Sequence, residues 1–492
     1  MKTSFLIVLA VFFPVICGCL ILLKKEFAKR DDLMKVSCLS LLIGAVFVLP
    51  LILGPECEFT LLHIVSGIDL YFHIDSMGKL FAAVMTVVWI ASGFFATEYM
   101  KHEKEEKRYF GIYVLVYGIL MGLCFAGNIV TYYLFFEMMS LLTMPMVMHT
   151  KTPEAIRAGI KYLLYSLCGA YCALFGIFFL NRYTTSLNFA PMGTLDLTAA
   201  AGSKGLILVI AMLMIFGFSV KGGMFPMHGW LPTAHPVAPA PASAALSAII
   251  VKCGVLGVIR VVYYLIGPDF IRGTWVQKLW LILTLITVFM GSMQAFRTTV
   301  LKKRLAYSTV SQVSYIFFGL ALLQPDAMTG ALLHVVFHAF VKATLFLTAG
   351  AIIYKTHKTD VRDLRGIGKE MPVAIWCYTI ASLALIGIPP ASGFISKWYL
   401  AVGSLYADIP VISVLGPVIL LISALLTAGY LLPITIHGFL PGNDYDYASK
   451  KDLEPVKVML IPLIVLAALS LLLGLFPMPL INFAAGLAGG LL

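Results

Sequence analysis

Along most of its length the chain carries apolar residues in long, nearly unbroken blocks, and its polar residues gather in short gaps between them. A lipid-spanning helix needs about 20 mostly apolar residues, whereas a soluble helix shows one apolar stripe and a polar back. Read as spans, the blocks number fourteen: 4–23, 33–53, 76–98, 109–127, 129–149, 155–181, 205–235, 239–266, 275–296, 304–323, 327–354, 371–403, 411–440 and 455–485. Between them, 54–75 includes the alternating run TLLHIVSGIDLYFHID and predicts a small strand pair, and 182–204 reads as a Gly/Thr/Ser loop.

Composition agrees with the pattern, since 492 residues at 60% hydrophobic and 12% charged cannot close one soluble core behind a wettable surface. The fold class is therefore an all-α membrane protein. Basic residues follow the odd-numbered spans: Lys24, Lys25, Lys29 and Arg30; Lys101, Lys104, Lys107 and Arg108; Lys302, Lys303 and Arg304; Lys355, Lys358, Arg362, Arg365 and Lys369; Lys450 and Lys451. The even loops hold chiefly Arg182, Lys204, Arg272 and Lys278. Positive charge marks the inner face, so the odd loops are inside and fourteen spans put both termini outside a prokaryotic cell membrane. The net charge of +11 is then a product of topology, and basic residues scattered without exposed aromatics do not describe a nucleic-acid surface. The opening MKTSFLIVLAVFFPVICGC is read as a retained first span rather than a signal peptide or a lipoprotein site at Cys19, because thirteen more spans already commit the chain to lipid.

Nine cysteines (Cys17, Cys19, Cys38, Cys57, Cys124, Cys168, Cys172, Cys253, Cys377) lie mostly inside spans as small apolar fillers. Cys168 and Cys172 share a helical face but lack further ligands, so neither metal nor cofactor is expected in this chain. No glycine fingerprint for nucleotide binding is present, which leaves an ion gradient or a partner to supply energy.

The informative residues are charges inside lipid, each costing on the order of 2.5 kcal/mol or more and so marking an ion path. Glu137 sits mid-span in NIVTYYLFFEMMSLLTMPMVMH; it is read as an ionised partner for lysine, with a protonated, hydroxyl-capped structural glutamate as the alternative. Lys221 is followed at once by Gly222, Gly223 and Pro226, which predict a helix break whose free carbonyls would favour its ammonium. His228 and His235 follow, and two readings stand for them, relay groups or helix-cap donors. Lys252 lies among small residues in span eight. His334, His338 and Lys342 fall at i, i+4 and i+8 and form one polar stripe. A zinc reading of that stripe lacks the glutamate of a hydrolytic motif; a proton relay is expected, with core histidines bonded to backbone as the alternative. Gly387, Pro389, Pro390 and Gly393 predict a second break, with Lys397 one turn later. Two breaks five spans apart fit an inverted-topology repeat. The expected organisation is 1–108 as flanking spans 1–3, 109–266 as a first five-helix repeat, 267–440 as its inverted second copy, and 441–492 as span 14.

KGGMFPMHGWLPTAHPVAPAPASAAL, LKKRLAYSTVSQVSYI and GIPPASGFISKWYL, with Ile74–Asp75 before span three, resemble the antiporter-like subunits shared by respiratory complex I, Mrp-type cation/proton antiporters and membrane-bound hydrogenases. The resemblance covers nearly the whole chain. It implies two inverted five-helix repeats, each forming half of a proton channel, along a hydrophilic axis in the membrane plane. It makes Glu137 the coupling glutamate, Lys221 the central lysine of the first half-channel, Lys252 the bridging lysine, His334 and His338 the connecting histidines, and Lys397 the terminal group. One branch of the family has glutamate at that last position, and the largest complex I subunit carries a long lateral helix after its last spans; neither feature matches here. An Mrp-like, hydrogenase-type or shorter complex I homologue is implied, without a choice among them.

The expected function is a proton-translocating subunit, with proton/sodium antiport left open, working with other membrane subunits and not catalytic alone. Its partners would include a hydrogenase or quinone-reductase module or small antiporter subunits. Two alternatives stand beside it: a self-sufficient solute transporter, and a passive membrane scaffold for a redox enzyme.

Overall fold

The computed structural model describes residues 3–65, 68–442, 445–446 and 452–492; Lys450 and Lys451, counted above among the basic loop residues, lie outside the described residues. The first helices are α1 (Thr3–Leu23), α2 (Arg30–Leu53), α3 (Ser76–Tyr99), α4 (Glu106–Cys124), α5 (Ile129–Val147) and α6 (Pro153–Tyr183). A short α7 (Leu197–Ala200) precedes α8 (Lys204–Gly222), which breaks before α9 (Leu231–Val237). The next span runs as α10 (Ala240–Ala245) and α11 (Val251–Val261), with π-helical turns at Leu246–Ile250 and Val262–Ile266. Then come α12 (Pro268–Ile271), α13 (Trp275–Arg297), α14 (Leu301–Ala321), α15 (Pro325–Thr356) and α16 (Ile367–Glu370). The chain closes with α17 (Pro372–Ile386), α18 (Ser392–Leu405), α19 (Ile412–Phe439), α20 (Lys457–Leu475) and α21 (Met478–Gly489).

Every one of the fourteen apolar blocks is helical, but only twelve helices among the described residues are long and apolar enough to cross a membrane. The block at 304–323 is α14, whose LKKRLAYSTVSQ start is too polar to qualify, and the block at 371–403 is divided into α17 and α18. The last block also breaks, at Phe476–Pro477 between α20 and α21. The molecule is a multi-pass membrane protein, and its lipid-facing α1, α2 and α19 leave most of their apolar side chains uncovered while α15 is buried for nearly its whole length.

The connecting segments sort to two ends. At one, β1 (Cys57–Val65) pairs antiparallel with β2 (Ile68–Ile74), as the alternation in 54–75 predicts. His73 N donates to Phe125 O at 2.9 Å, Phe189 N donates to Gly127 O at 2.9 Å, and Thr194 N donates to Leu265 O at 2.8 Å, so the even loops are knitted together. At the other end Arg30 pairs with Glu106 at 2.7 Å, Arg108 donates to His149 O at 2.6 Å, and Leu301 N donates to Thr359 O at 2.9 Å. This is the basic face. Two residues assigned above to its water-exposed loops are buried instead: Lys302 is 6% exposed and donates to Ala238 O at 2.5 Å, and Arg304 is 7% exposed and donates to Thr298 O and Tyr430 O. Both sit in the first turn of α14 beneath the loops, where backbone carbonyls replace water around the charge.

Candidate proton path

Each break is built by the residues that predict it. α8 ends at Gly222, and Gly223 takes φ +77°, a left-handed turn that closes the helix with hydrogen bonds to Ser219 O and Val220 O. α17 ends at Ile386, and Gly387 takes φ +93°. Each turn leaves the last carbonyls of a helix in mid-membrane, where they need donors.

The donors differ between the two breaks. Lys397, on α18, donates to Leu385 O at 2.6 Å and to Ile386 O at 2.9 Å, so its ammonium caps the negative end of α17. Lys221 does not do the same for α8. Its ammonium turns to three hydroxyls, Ser140 and Tyr162 at 2.8 Å and Ser166 at 2.9 Å, while the Trp230 indole N–H takes Val220 O at 2.9 Å. Ser140, Tyr162 and Ser166 lie on α5 and α6, and a lone hydroxyl in an apolar helix gave no sequence signal that it would meet a lysine 55 or more residues away.

Glu137 is half-buried, one turn from Ser140 on α5. One of its carboxylate oxygens is buried without a partner, and Glu137 and Lys221 feel each other's charge without forming an ion pair. Instead of the direct pairing expected from sequence, Lys221 is held by a hydroxyl cluster.

From α11 to α18 the polar groups follow one another closely. Lys252 Nζ lies 2.5 Å from His338 Nδ1 and donates to Ser247 O at 3.1 Å. The His338 and His334 rings are 5.8 Å apart, and His334 Nδ1 lies 2.9 Å from Ser396 Oγ. Ser396 immediately precedes Lys397, whose ammonium sits 5.1 Å over the Tyr315 ring; Tyr315 in turn stacks on His334. Lys252, His334 and His338 are each no more than 2% exposed, and the second ring nitrogen of both histidines is buried without a partner. Gln312, also buried, has neither end of its amide paired. An amine or imidazole in such a setting can accept a proton on one side and donate one on the other.

Of the remaining candidates, Lys342 is fully buried and donates to Leu305 O at 3.1 Å, away from the His338 end of its stripe. His228 is half-buried in the turn after the first break, stacked 6.0 Å from Phe225, and lies apart from the row. Among the described residues no three His, Cys, Asp or Glu side chains come together to hold a metal ion.

Sequence reading missed one charged constellation. Arg260 on α11 clamps Asp75 with two hydrogen bonds of 2.5 and 2.7 Å, while Asp75 caps α3 by accepting from Gly78 N at 2.9 Å. The Phe189 and Tyr264 rings cover the guanidinium at 4.7 and 4.6 Å. The signal was present in Arg260 itself, a charge inside span eight, and in Asp75 at the start of span three.

Fold and site together define a multi-pass membrane protein threaded by a row of buried ionisable side chains. The chain belongs to the NADH:quinone oxidoreductase/Mrp antiporter transmembrane family, which matches residues 126–427. It is 32% identical over 423 residues to the N subunit of the NADH-quinone oxidoreductase of Desulforudis audaxviator, covering 83% of this chain and 82% of that one. It is 27% identical to a Na(+)/H(+) antiporter subunit of Alkalihalophilus pseudofirmus, covering 99% and 97% of the two chains. Its fold matches a chain of the Mrp complex from a Dietzia species with a TM-score of 0.85 at 21% identity, over 100% of this chain and 98% of that one.

Proposed function

We propose that this chain is a proton-translocating subunit of a multisubunit ion-pumping membrane complex. The observation that carries the reading is the series Lys252, His338, His334, Ser396 and Lys397, which joins the first turn of α11 to the second helix break through buried groups able to exchange protons. Glu137 and Lys221, coupled through their charges, form the input end. A charge change in a neighbouring subunit alters the proton affinity of Lys221; protons then shift through Lys252 and the histidines to Lys397. Residues 109–266 and 267–440 act as the two half-channels, with His228 and Lys342 as secondary groups. The basic face is the inner one, which puts both termini outside a prokaryotic cell membrane. The chain supplies side chains alone, and any redox centre belongs to a partner.

The likeness to subunits named for a quinone oxidoreductase and for a sodium/proton antiporter supports an obligate subunit over a self-sufficient transporter. Gentle purification of the tagged chain from its own membrane, with mass spectrometry of what accompanies it, tests this. Iron–sulfur subunits identify the pumping arm of a redox machine, and small membrane subunits identify an Mrp-type assembly. Recovery of the chain alone, active in solute uptake, overturns the proposal.

A further inference from the structure

Away from the proton row, α3 packs against α20 and the two helices leave a groove between them. It holds about 550 Å³ and is lined by Thr86, Ala91 and Phe94 of α3 and by Val458, Pro462 and Val465 of α20, among others. The Thr86 hydroxyl is turned to the Tyr117 hydroxyl at 3.1 Å, and the other described lining side chains are apolar, so the walls are hydrocarbon. Val458 and Val465 are 44% and 45% exposed, which opens the groove sideways to the surrounding lipid.

The groove has a direction. α3 runs from the hairpin end to the basic face, where Thr97 O accepts from Arg30, and α20 starts at that face, just after Leu453 N donates to Glu370 O. Thr86 and Val465 therefore mark its deep end, and Phe94 and Val458 its mouth. From Thr86 to Glu98, one turn beyond Phe94 on the same side of α3, is about 18 Å of helix at about 1.5 Å per residue. One leaflet of hydrocarbon is about 15 Å deep. The groove thus reaches from headgroup level to mid-membrane, the course of one acyl chain. A helix about 10 Å across would need roughly 900 Å³ over the stretch from Thr86 to Phe94, more than the groove contains.

The mouth is cationic. Lys457, one turn before Ile461 of the lining, is exposed, and Lys101 reaches Glu98 at 2.6 Å, while the second Glu98 oxygen accepts from the Tyr354 hydroxyl at 3.2 Å. One carboxylate against two ammonium groups leaves a positive charge at headgroup level, where anionic lipid is attracted. Pro462 has no N–H, so Val458 O at the mouth loses its usual intrahelical donor and is left open to a hydroxyl.

We propose that this groove binds one anionic glycerophospholipid from the leaflet on the basic face. An acyl chain lies between α3 and α20, the phosphate sits at Lys101 and Lys457, and a headgroup hydroxyl, as in phosphatidylglycerol, donates to Val458 O. α20 also packs on α15, the helix of His334 and His338, and Tyr354 of α15 holds Glu98 at the mouth. The bound lipid fixes the spacing of α3 and α20 around one end of that helix. The site does not rest on the function proposed above.

The test uses the intact complex in phosphatidylcholine vesicles that contain a small fraction of phosphatidylglycerol with a diazirine at the end of one acyl chain. Irradiation, digestion and mass spectrometry locate the label. It is expected on α3 and α20 around Thr86 and Val465, well above the level on the lipid-facing α1 and α19. K457Q should lower it about fivefold, the effect of one lysine on an anionic headgroup. A91F, which fills the groove, should remove it, and K303Q, at an exposed lysine elsewhere on the basic face, should leave it unchanged. Complex yield is measured beside each variant, and if A91F fails to assemble, K457Q against K303Q still decides. Label spread evenly over the lipid-facing helices, or an equally strong label from the phosphatidylcholine form of the probe, overturns the proposal. So does a groove that takes no label, as a neighbouring subunit covering it would give.

Discussion

Lys252 Nζ and His338 Nδ1, 86 residues apart in sequence, lie 2.5 Å from each other, and both residues are 1% exposed. Two cations at that distance in a medium of low dielectric repel strongly, so the pair holds one mobile proton rather than two. Lys252 as ammonium donates to the imidazole; once the proton has moved, the imidazolium donates back to the amine. In the proposed relay the pair is the joint at which a proton changes helices, from α11 to α15.

Replacing Lys252 by methionine keeps the length and apolar stem of the side chain and removes the proton. A buried charge replaced by an apolar group of similar volume is often neutral or stabilising by about 1–4 kcal/mol. K252M is therefore expected to abolish translocation while its thermal midpoint in detergent stays the same or rises. A drop in both would make Lys252 a structural residue.

The Asp75–Arg260 clamp predicts the opposite pattern. Removing one partner leaves the other buried and unpaired, at a cost of about 3–5 kcal/mol. D75N and R260M alone should each lower the melting temperature of the purified protein, and the double variant should recover much of the loss. Additive losses in the double variant would show that the two residues act separately.

Acid sensitivity should trace in part to His149, which lies beyond the end of α5 on the basic face. Burial, aided by the Arg108 charge, pushes its pKa from 6.5 down to about 4, and its Nε2 lies 2.8 Å from Lys104 O. The unfolded chain thus binds a proton below about pH 6.5 that the folded chain refuses until about pH 4, so stability is full above the upper value and falls through this window. Melting curves taken across that window should show a shallower pH dependence for H149Q than for the unmodified protein; identical slopes would remove His149 from the account.

Much of this is legible in the amino-acid sequence. Apolar blocks placed the helices, because lipid leaves the backbone no alternative to internal hydrogen bonds, and Gly223 and Gly387 mark the breaks for the same steric reason in both. The row was legible only at its ionisable members: Glu137, Lys221, Lys252, His334, His338 and Lys397 are conspicuous in an apolar background. Their hydroxyl partners were not, since Ser140, Ser166 and Ser396 look like any small residue at a close helix crossing. Lys302 and Arg304 were misplaced because a run of basic residues between spans reads as a loop, whereas α14 begins at Leu301 and draws both side chains under the surface. The split of the block at 371–403 reduces the count of full-length apolar helices, although its two halves carry the second break where its glycines and prolines put it.

In the proposed mechanism a change in the pairing of Glu137 with Lys221 alters the proton affinity of Lys221 and so drives the protons. Its most direct measurement is proton translocation by the purified complex in proteoliposomes, carrying either K221A or E137A, with assembly checked by the recovery of all partner subunits. Both variants should lose coupled translocation completely at normal assembly. Translocation at the unmodified rate in both would contradict it.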